Sequence, residues 1–127
     1  MSNYFENSTR PPVICTNGMV SSAHPLASNA GVKILMNGGN AFDAAVGVAF
    51  ALGVVEPYMS GPGGIGLALI TKAGANTPEV LNFSGMAPKL ATLENFKDVE
   101  NSVYINGVPN NVGIKSGMVP GNLAVWC

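Results

Sequence analysis

Charged, histidine and cysteine residues are scarce in this sequence, and each scarcity excludes a class of function. Charged side chains occupy 10% of the 127 positions, where about 25% is typical, and they form no basic run of the kind that nucleic-acid binding requires. One histidine, His24, and two cysteines near opposite ends, Cys15 and Cys127, offer no spacing of metal ligands, so we expect no metal site. The longest apolar run, residues 44–55, is too short to span a bilayer.

Apolar residues and glycine are, by contrast, abundant. Hydrophobic residues make up 47% of the chain, which also contains 16 glycines, and this composition excludes a disordered tail. Because six basic and seven acidic residues are few to cover a monomer, we expect much of the surface to lie against other protein. Residues 1–12 form a polar lead without the apolar core of a signal peptide, and residues 13–127 form the folded segment. The expected localisation is therefore cytoplasmic.

The order of predicted elements favours an α/β (α+β) fold. Apolar residues recur every four positions over residues 25–37, which predicts a helix that begins with proline and ends at a glycine pair. A second helix, residues 41–55, is apolar on every side, so we expect it to be covered all round, against a β-hairpin and beside the first helix. The other expected elements are strands over residues 13–16, 67–71 and 79–83, the last two paired in that hairpin and residues 67–71 buried. A short helix is expected near residues 93–97, and another helix from Asn122 onward.

The glycine-rich segment of residues 61–66 matches the pattern G-x-G-x-x-G. A dinucleotide-binding loop follows a strand and opens a helix, so that the helix N-terminus meets the pyrophosphate. Here a helix is expected before the loop and a strand after it. The sequence therefore favours a tight structural turn over a phosphate site.

The remaining polar candidates indicate capping rather than catalysis. His24 stands at a helix entry without metal ligands around it, so a packing or capping role is expected. Asp43 and Glu56 lie 13 residues apart in the sequence, roughly 20 Å along a helix, which is too far for a carboxylate pair. Ser2 would become N-terminal on removal of Met1, but no strand follows to hold such a nucleophile beside oxyanion donors. No catalytic residue is therefore predicted within this chain.

Several segments together resemble the γ-glutamyltranspeptidases and their γ-glutamyltranspeptidase-like relatives. They occur in the order and at the spacing of that family, from about Val13 to Trp126, and two of the blocks are specific: Gly38-Gly39-Asn40-Ala41 followed by Asp43-Ala44-Ala45-Val46, and Glu56-Pro57 followed by Met59-Ser60-Gly61 and Gly63-Gly64. The others are Gly18-Met19-Val20-Ser21-Ser22, His24-Pro25-Leu26-Ala27-Ser28, Ala87-Pro88 and Val119-Pro120-Gly121.

The resemblance implies part of a four-layer αββα N-terminal nucleophile hydrolase fold, with N-terminal helices packed on a β-hairpin. Such a proenzyme cleaves itself, and the new N-terminal threonine of the small subunit attacks γ-glutamyl amides such as glutathione, without a metal or organic cofactor. The sequence matches only the start of the large subunit and contains no Thr-Thr/Ser-His cleavage segment. The expected partners are the remainder of the proenzyme and a small-molecule amide, with no nucleic acid and no membrane span.

One departure from the family pattern concerns substrate binding. Classical members carry an arginine after the second hairpin strand that binds the α-carboxylate of the γ-glutamyl group, a task that suits its planar guanidinium. Ser84 occupies that position here and supplies no charge. Ser84 is therefore the one candidate substrate-binding residue, and γ-glutamyl specificity is in question.

Three interpretations stay open on the sequence alone. The chain is a segment of an enzyme of this family, a nucleotide-binding module, or a non-catalytic product with a structural or interaction role. In the first case the intact protein is a γ-glutamyltransferase or glutathione hydrolase, or an acylase of different acyl specificity. The 127-residue chain alone is expected to have no catalytic activity.

Overall fold

The computed structural model describes residues 11–92, 94 and 116–126. Its elements are α1 (Pro25–Met36), α2 (Ala41–Val55), β1 (Gly66–Ile70), β2 (Glu79–Phe83) and α3 (Asn122–Trp126). The chain divides into two compact units, Met1–Val55 and Glu56–Cys127. The first contains the helices α1 and α2, and the second contains the hairpin and α3, which is the predicted α+β composition.

Helix α1 begins and ends where local hydrogen bonds satisfy its terminal groups. The imidazole Nδ1 of His24 accepts a hydrogen bond from the Leu26 N–H at 3.2 Å, so His24 is the N-cap and the predicted capping role is confirmed. At the other end Gly38 has φ of 90°, and its N–H donates to the Leu35 carbonyl. The Gly39 N–H donates to the Ile34 carbonyl, which completes a Schellman motif. The helix therefore stops one residue before the predicted end.

Helix α2 has the predicted bounds, and a reciprocal cap explains its start. The Asn40 side-chain oxygen accepts from the N–H groups of Phe42 and Asp43, at 2.7 and 3.1 Å. The Asp43 carboxylate in turn accepts from the Asn40 N–H at 2.8 Å, so each residue satisfies a donor of the other. Asp43 is thus a capping residue, as predicted. At the far end the main-chain carbonyl of Glu56 accepts hydrogen bonds from the N–H groups of Met59 and Ser60.

The two helices of the first unit pack closely because small residues lie between them. Ala27 is fully buried and Ala44 is 4% exposed. A Cβ atom on Gly31 would lie 2.7 Å from a methyl group of Val48, and one on Gly47 would collide with the side chain of Ile34. Glycine at these positions allows a helix approach that larger side chains would prevent.

The described residues do not cover α2 on every side, contrary to the expectation for an apolar helix. Val54 is 79% exposed, and Phe42 is 43% exposed. The apolar sequence of a helix indicates that it should be covered, but it does not identify the covering atoms. Among the described residues, no helix has the length and hydropathy that crossing a membrane would require.

The second unit contains the predicted antiparallel hairpin. Strand β2 has the predicted bounds, while β1 begins and ends one residue earlier than expected; Gly66 pairs with Phe83 and Ile70 with Glu79. Gly74, with φ of 79°, lies in the connecting turn. Alternate residues of β1 are exposed, so the expectation of a buried strand is wrong. Helix α3 begins at Asn122 as predicted and contacts β2.

The sequence predicts a strand at residues 13–16 and a short helix near residues 93–97. Residues 13–16 form no strand, because they are exposed and pair with no other strand among the described residues; Ile14 is 87% exposed. The short helix expected near residues 93–97 falls, apart from Glu94, outside the described residues.

Candidate functional site

Ser84 lies immediately after strand β2, at the edge of the hairpin. Its N–H donates to the side-chain oxygen of Asn82 at 3.0 Å, forming a side-chain-closed turn that ends the strand. Ser84 itself is exposed. Its hydroxyl can donate one hydrogen bond and accept others, but it cannot supply a positive charge to a carboxylate.

The segment of residues 116–122 passes close to both sides of Ser84. The Val119 N–H donates to the Met86 carbonyl at 2.9 Å, in an isolated antiparallel bridge. A Cβ atom on Gly121 would collide with the main-chain oxygen of Phe83, so only glycine allows this approach. The residues before and after Ser84 are therefore both held by one segment that is remote in the sequence.

The glycine-rich segment forms a turn, as predicted, and leads from a helix into a strand. The Gly64 N–H donates to the Gly61 carbonyl at 3.0 Å, which closes the turn. Strand β1 follows the loop at Gly66, so the loop does not open a helix as a dinucleotide-binding loop does. A cleft of about 470 Å³ opens beside the turn; its lining residues are Pro57, Tyr58, Met59, Ser60, Gly61, Gly63, Gly64, Ile65 and Asn122.

Asn122 also belongs to this region, although its sequence context predicts only the start of a helix there. It is 7% exposed, and its side-chain N–H donates to the Gly61 carbonyl at 2.8 Å. The N–H groups of Gly121 and Asn122 both donate to the Gly64 carbonyl at 3.1 Å. No local pattern could have revealed this role, because the bonded residues lie 61 positions apart.

The other polar candidates do not assemble into a catalytic group in the described parts of the chain. The Ser22 hydroxyl contacts the main-chain carbonyl of His24 rather than its imidazole, so no nucleophile and base are paired there. Asp43 and Glu56 stand at opposite ends of the unbroken helix α2. No group of three metal-ligating side chains occurs within residues 11–92, 94 and 116–126, and Ser2 lies outside them.

The described part of the chain shows neither Arg10 nor Lys72 beside Ser84. Arg10 is the only arginine in the sequence and lies outside the described residues. Lys72 contacts the Glu79 carboxylate at 3.0 Å, at the opposite end of the hairpin strands from Ser84. The Ser84 side chain itself carries no charge.

Comparison with known proteins gives consistent results for most of the chain. Residues 27–127 match the family model described as gamma-glutamyltranspeptidase. The chain is 42% identical over 122 residues to the acylase ACY 1 proenzyme of Pseudomonas sp. (strain SE83), covering 93% of this chain and 22% of that protein. It is 41% identical over 110 residues to the glutathione hydrolase proenzyme of Bacillus subtilis (strain 168), covering 84% of this chain and 18% of that protein.

A solved structure agrees with the sequence relatives. The γ-glutamyltranspeptidase of Helicobacter pylori superposes with a TM-score of 0.78 at 39% identity, over 91% of this chain and 32% of that one. The fold is therefore that of the corresponding part of these N-terminal nucleophile hydrolases. The chain spans about a fifth of the length of the two sequence relatives. From the family match, the identities and the superposition together, the chain belongs to the gamma-glutamyltranspeptidase family.

Proposed function

We propose that this chain is the N-terminal part of the large subunit of a proenzyme that hydrolyses γ-glutamyl amides or transfers their acyl group. The observation that carries the proposal is the family match over residues 27–127, in a chain that spans about a fifth of two relatives named as proenzymes. A cytoplasmic localisation stays a prediction from the sequence.

The chemical step requires groups that the remainder of the proenzyme supplies. The hydroxyl of an N-terminal threonine, freed by self-cleavage, attacks the amide carbonyl carbon, and the threonine's own amine accepts the hydroxyl proton. The amine of the substrate leaves with a proton, and an acyl-enzyme ester remains. Water then releases the acid, or an acceptor amine takes the acyl group. In this scheme the present chain contributes the scaffold of the acyl-binding side.

The remainder of the proenzyme is also the proposed partner for the exposed apolar side chains. Val54 is 79% exposed on a helix that carries a charged residue only at Asp43. Burial of such side chains contributes roughly 1.5–3 kcal/mol each, which favours a covered state. This accounts for the scarcity of charge in the sequence, because a surface that faces other protein needs little of it.

An acylase with a different acyl specificity is the second candidate, and Ser84 is the observation that favours it. An exposed serine at the position of the carboxylate-binding arginine provides no charge for the α-carboxylate of a γ-glutamyl group. The 42% identity to an acylase proenzyme supports the same alternative. Under this alternative the site accepts acyl groups that lack the α-amino and α-carboxyl groups of a γ-glutamyl group.

The substitution Ser84→Arg in the full-length protein tests the acyl specificity. The paired substrates are a γ-glutamyl anilide and a glutaryl anilide, which lacks the α-amino and α-carboxyl groups. Hydrogen bonds to charged groups contribute about 1.5–3 kcal/mol, so the variant should gain about ten- to a hundredfold in kcat/KM on the γ-glutamyl substrate only.

A matched control for charge alone is Thr92→Arg, at another exposed position of the same unit. It should leave the ratio of the two kcat/KM values unchanged. If the unmodified protein strongly prefers the γ-glutamyl anilide and Ser84→Arg lowers activity on both substrates, Ser84 does not occupy the carboxylate site. Absence of turnover on both anilides and on other amides would contradict the proposed function itself.

A further inference from the structure

The side-chain amide of Asn122 connects two loops that are far apart in the sequence. Asn122 is 7% exposed and is the one buried polar residue in the described part of the chain. Its Nδ2 group donates to Gly61 O at 2.8 Å. Its main-chain N–H and that of Gly121 share Gly64 O as an acceptor. Three donors from residues 121–122 thus hold both ends of the glycine turn, and the Gly61 carbonyl also accepts from the Gly64 N–H within the turn.

The same segment continues from the glycine turn to the residues around Ser84. Val119 is hydrogen-bonded to Met86, and Gly121 approaches the Phe83 main chain too closely for any side chain. A Cβ atom on Gly85 would lie 2.7 Å from the Met118 Cβ. Backbone packed this tightly does not shift without moving its neighbours. The register of residues 118–121 against residues 83–86 therefore determines where Ser84 lies.

We infer that Asn122 is a positioning residue for acyl-group recognition: its amide anchors residues 118–122 on the glycine turn, and this anchored segment holds Ser84. The inference rests on the proposed function and on Ser84 as its candidate substrate-binding residue. Asn82 fixes the Ser84 N–H from within the hairpin, but that hydrogen bond does not determine where the turn lies relative to the glycine loop. The Asn122 side chain supplies that second restraint together with the main-chain N–H groups of Gly121 and Asn122, which donate to Gly64 O.

The isosteric variant Asn122→Asp tests the inference in the full-length protein. It keeps the side-chain shape but replaces the donor by a carboxylate oxygen that faces Gly61 O. We expect KM for the acyl substrate to rise about three- to tenfold while kcat changes by less than about twofold. A purely structural role would instead lower the fraction of active enzyme, and hence the apparent kcat, at unchanged KM. Leu123→Ala, at the exposed neighbouring position of α3, is the matched control and should change neither constant.

A double-mutant cycle shows whether Asn122 acts through Ser84. In the Ser84→Ala background, Asn122→Asp should change KM by less than about twofold, because the group that it positions is already absent. An equal rise in KM in both backgrounds would overturn the inference. So would an unchanged KM in Asn122→Asp of an otherwise active enzyme.

Hydrogen exchange of the full-length protein provides a readout that does not depend on catalysis. Asn122→Asp should accelerate exchange of the Val119 and Gly121 amides at least about tenfold, and leave the amides of α1 unchanged. Unchanged exchange at both amides would overturn the inference about Asn122 alone. A full-length protein that turns over no amide would instead overturn the proposed function, and with it the recognition role.

Discussion

The substitution Gly31→Ala tests how closely α1 and α2 approach each other. An added Cβ would lie 2.7 Å from Val48 Cγ2 and 2.9 Å from Val20 Cγ1, distances that require movement of the neighbours. Both neighbours are β-branched valines with stiff side chains, and Gly31 is buried, so little relaxation is available. Overpacking of this kind costs about 1–3 kcal/mol.

A gain in helix propensity opposes this cost. Alanine is about 1 kcal/mol more favourable than glycine within a helix, so Gly31→Ala should lower the free energy of unfolding by about 0–2 kcal/mol in total. The exposed position 29 of the same helix isolates the propensity contribution. There the Asn29→Ala variant should be about 1 kcal/mol more stable than Asn29→Gly. Alanine in place of glycine should therefore stabilise the helix at position 29 but not at position 31.

Urea unfolding of the chain, followed by circular dichroism, measures these differences, provided that the m values agree. Combining Gly31→Ala with Val48→Ala removes one of the two colliding methyl groups. The double variant should then be at least about 0.5 kcal/mol more stable than the sum of the single effects predicts. If Gly31→Ala stabilises the chain as much as alanine does at position 29, or if no coupling to Val48 is found, the close approach of the helices is refuted.

Three further predictions use the same chain. Asn40→Ala removes the acceptor of two N–H groups at the start of α2 and should lower the free energy of unfolding by about 1 kcal/mol in urea titrations; an unchanged midpoint would contradict the capping role. Lys72→Met breaks an ion pair whose side chains are 62% and 54% exposed, so stability should change by less than about 1 kcal/mol, and a larger loss would show that the pair is not simply solvated. The purified 127-residue chain should hydrolyse no γ-glutamyl anilide above the buffer rate, and turnover lost on Ser2→Ala would instead indicate an N-terminal serine nucleophile.

Helix ends were predictable from the sequence, because they depend on residues that are neighbours in the chain. The start of α2 follows from Asn40 and Asp43, whose side chains and N–H groups satisfy each other within three residues. The end of α1 follows from Gly38, because glycine adopts the positive φ that the Schellman motif requires. The family membership likewise rests on contiguous blocks of sequence.

The pairing of residues 13–16 and the burial of α2 and β1 were not predictable from the sequence, because both depend on which other residues pack against a segment. Residues 13–16 have the composition of a strand, but strand formation needs a partner, and local composition does not specify one. The apolar character of α2 shows that it should be covered without identifying the atoms that cover it. The exposure of Leu69, at 71%, on a strand expected to be buried has the same origin.

The sequence by itself determined where α1, α2 and α3 begin, the hairpin pairing and the identity of Ser84, since each of these depends on residue type and short spacing. Only the tertiary structure decided that Asn122, 61 residues from Gly61, fixes the glycine turn, and that Gly121 fits against Phe83. A hydrogen bond between such distant residues forms because the chain returns to the same place, and no local preference encodes that return. Ser84 is thus specified by the sequence, but its position depends on residues that only folding brings beside it.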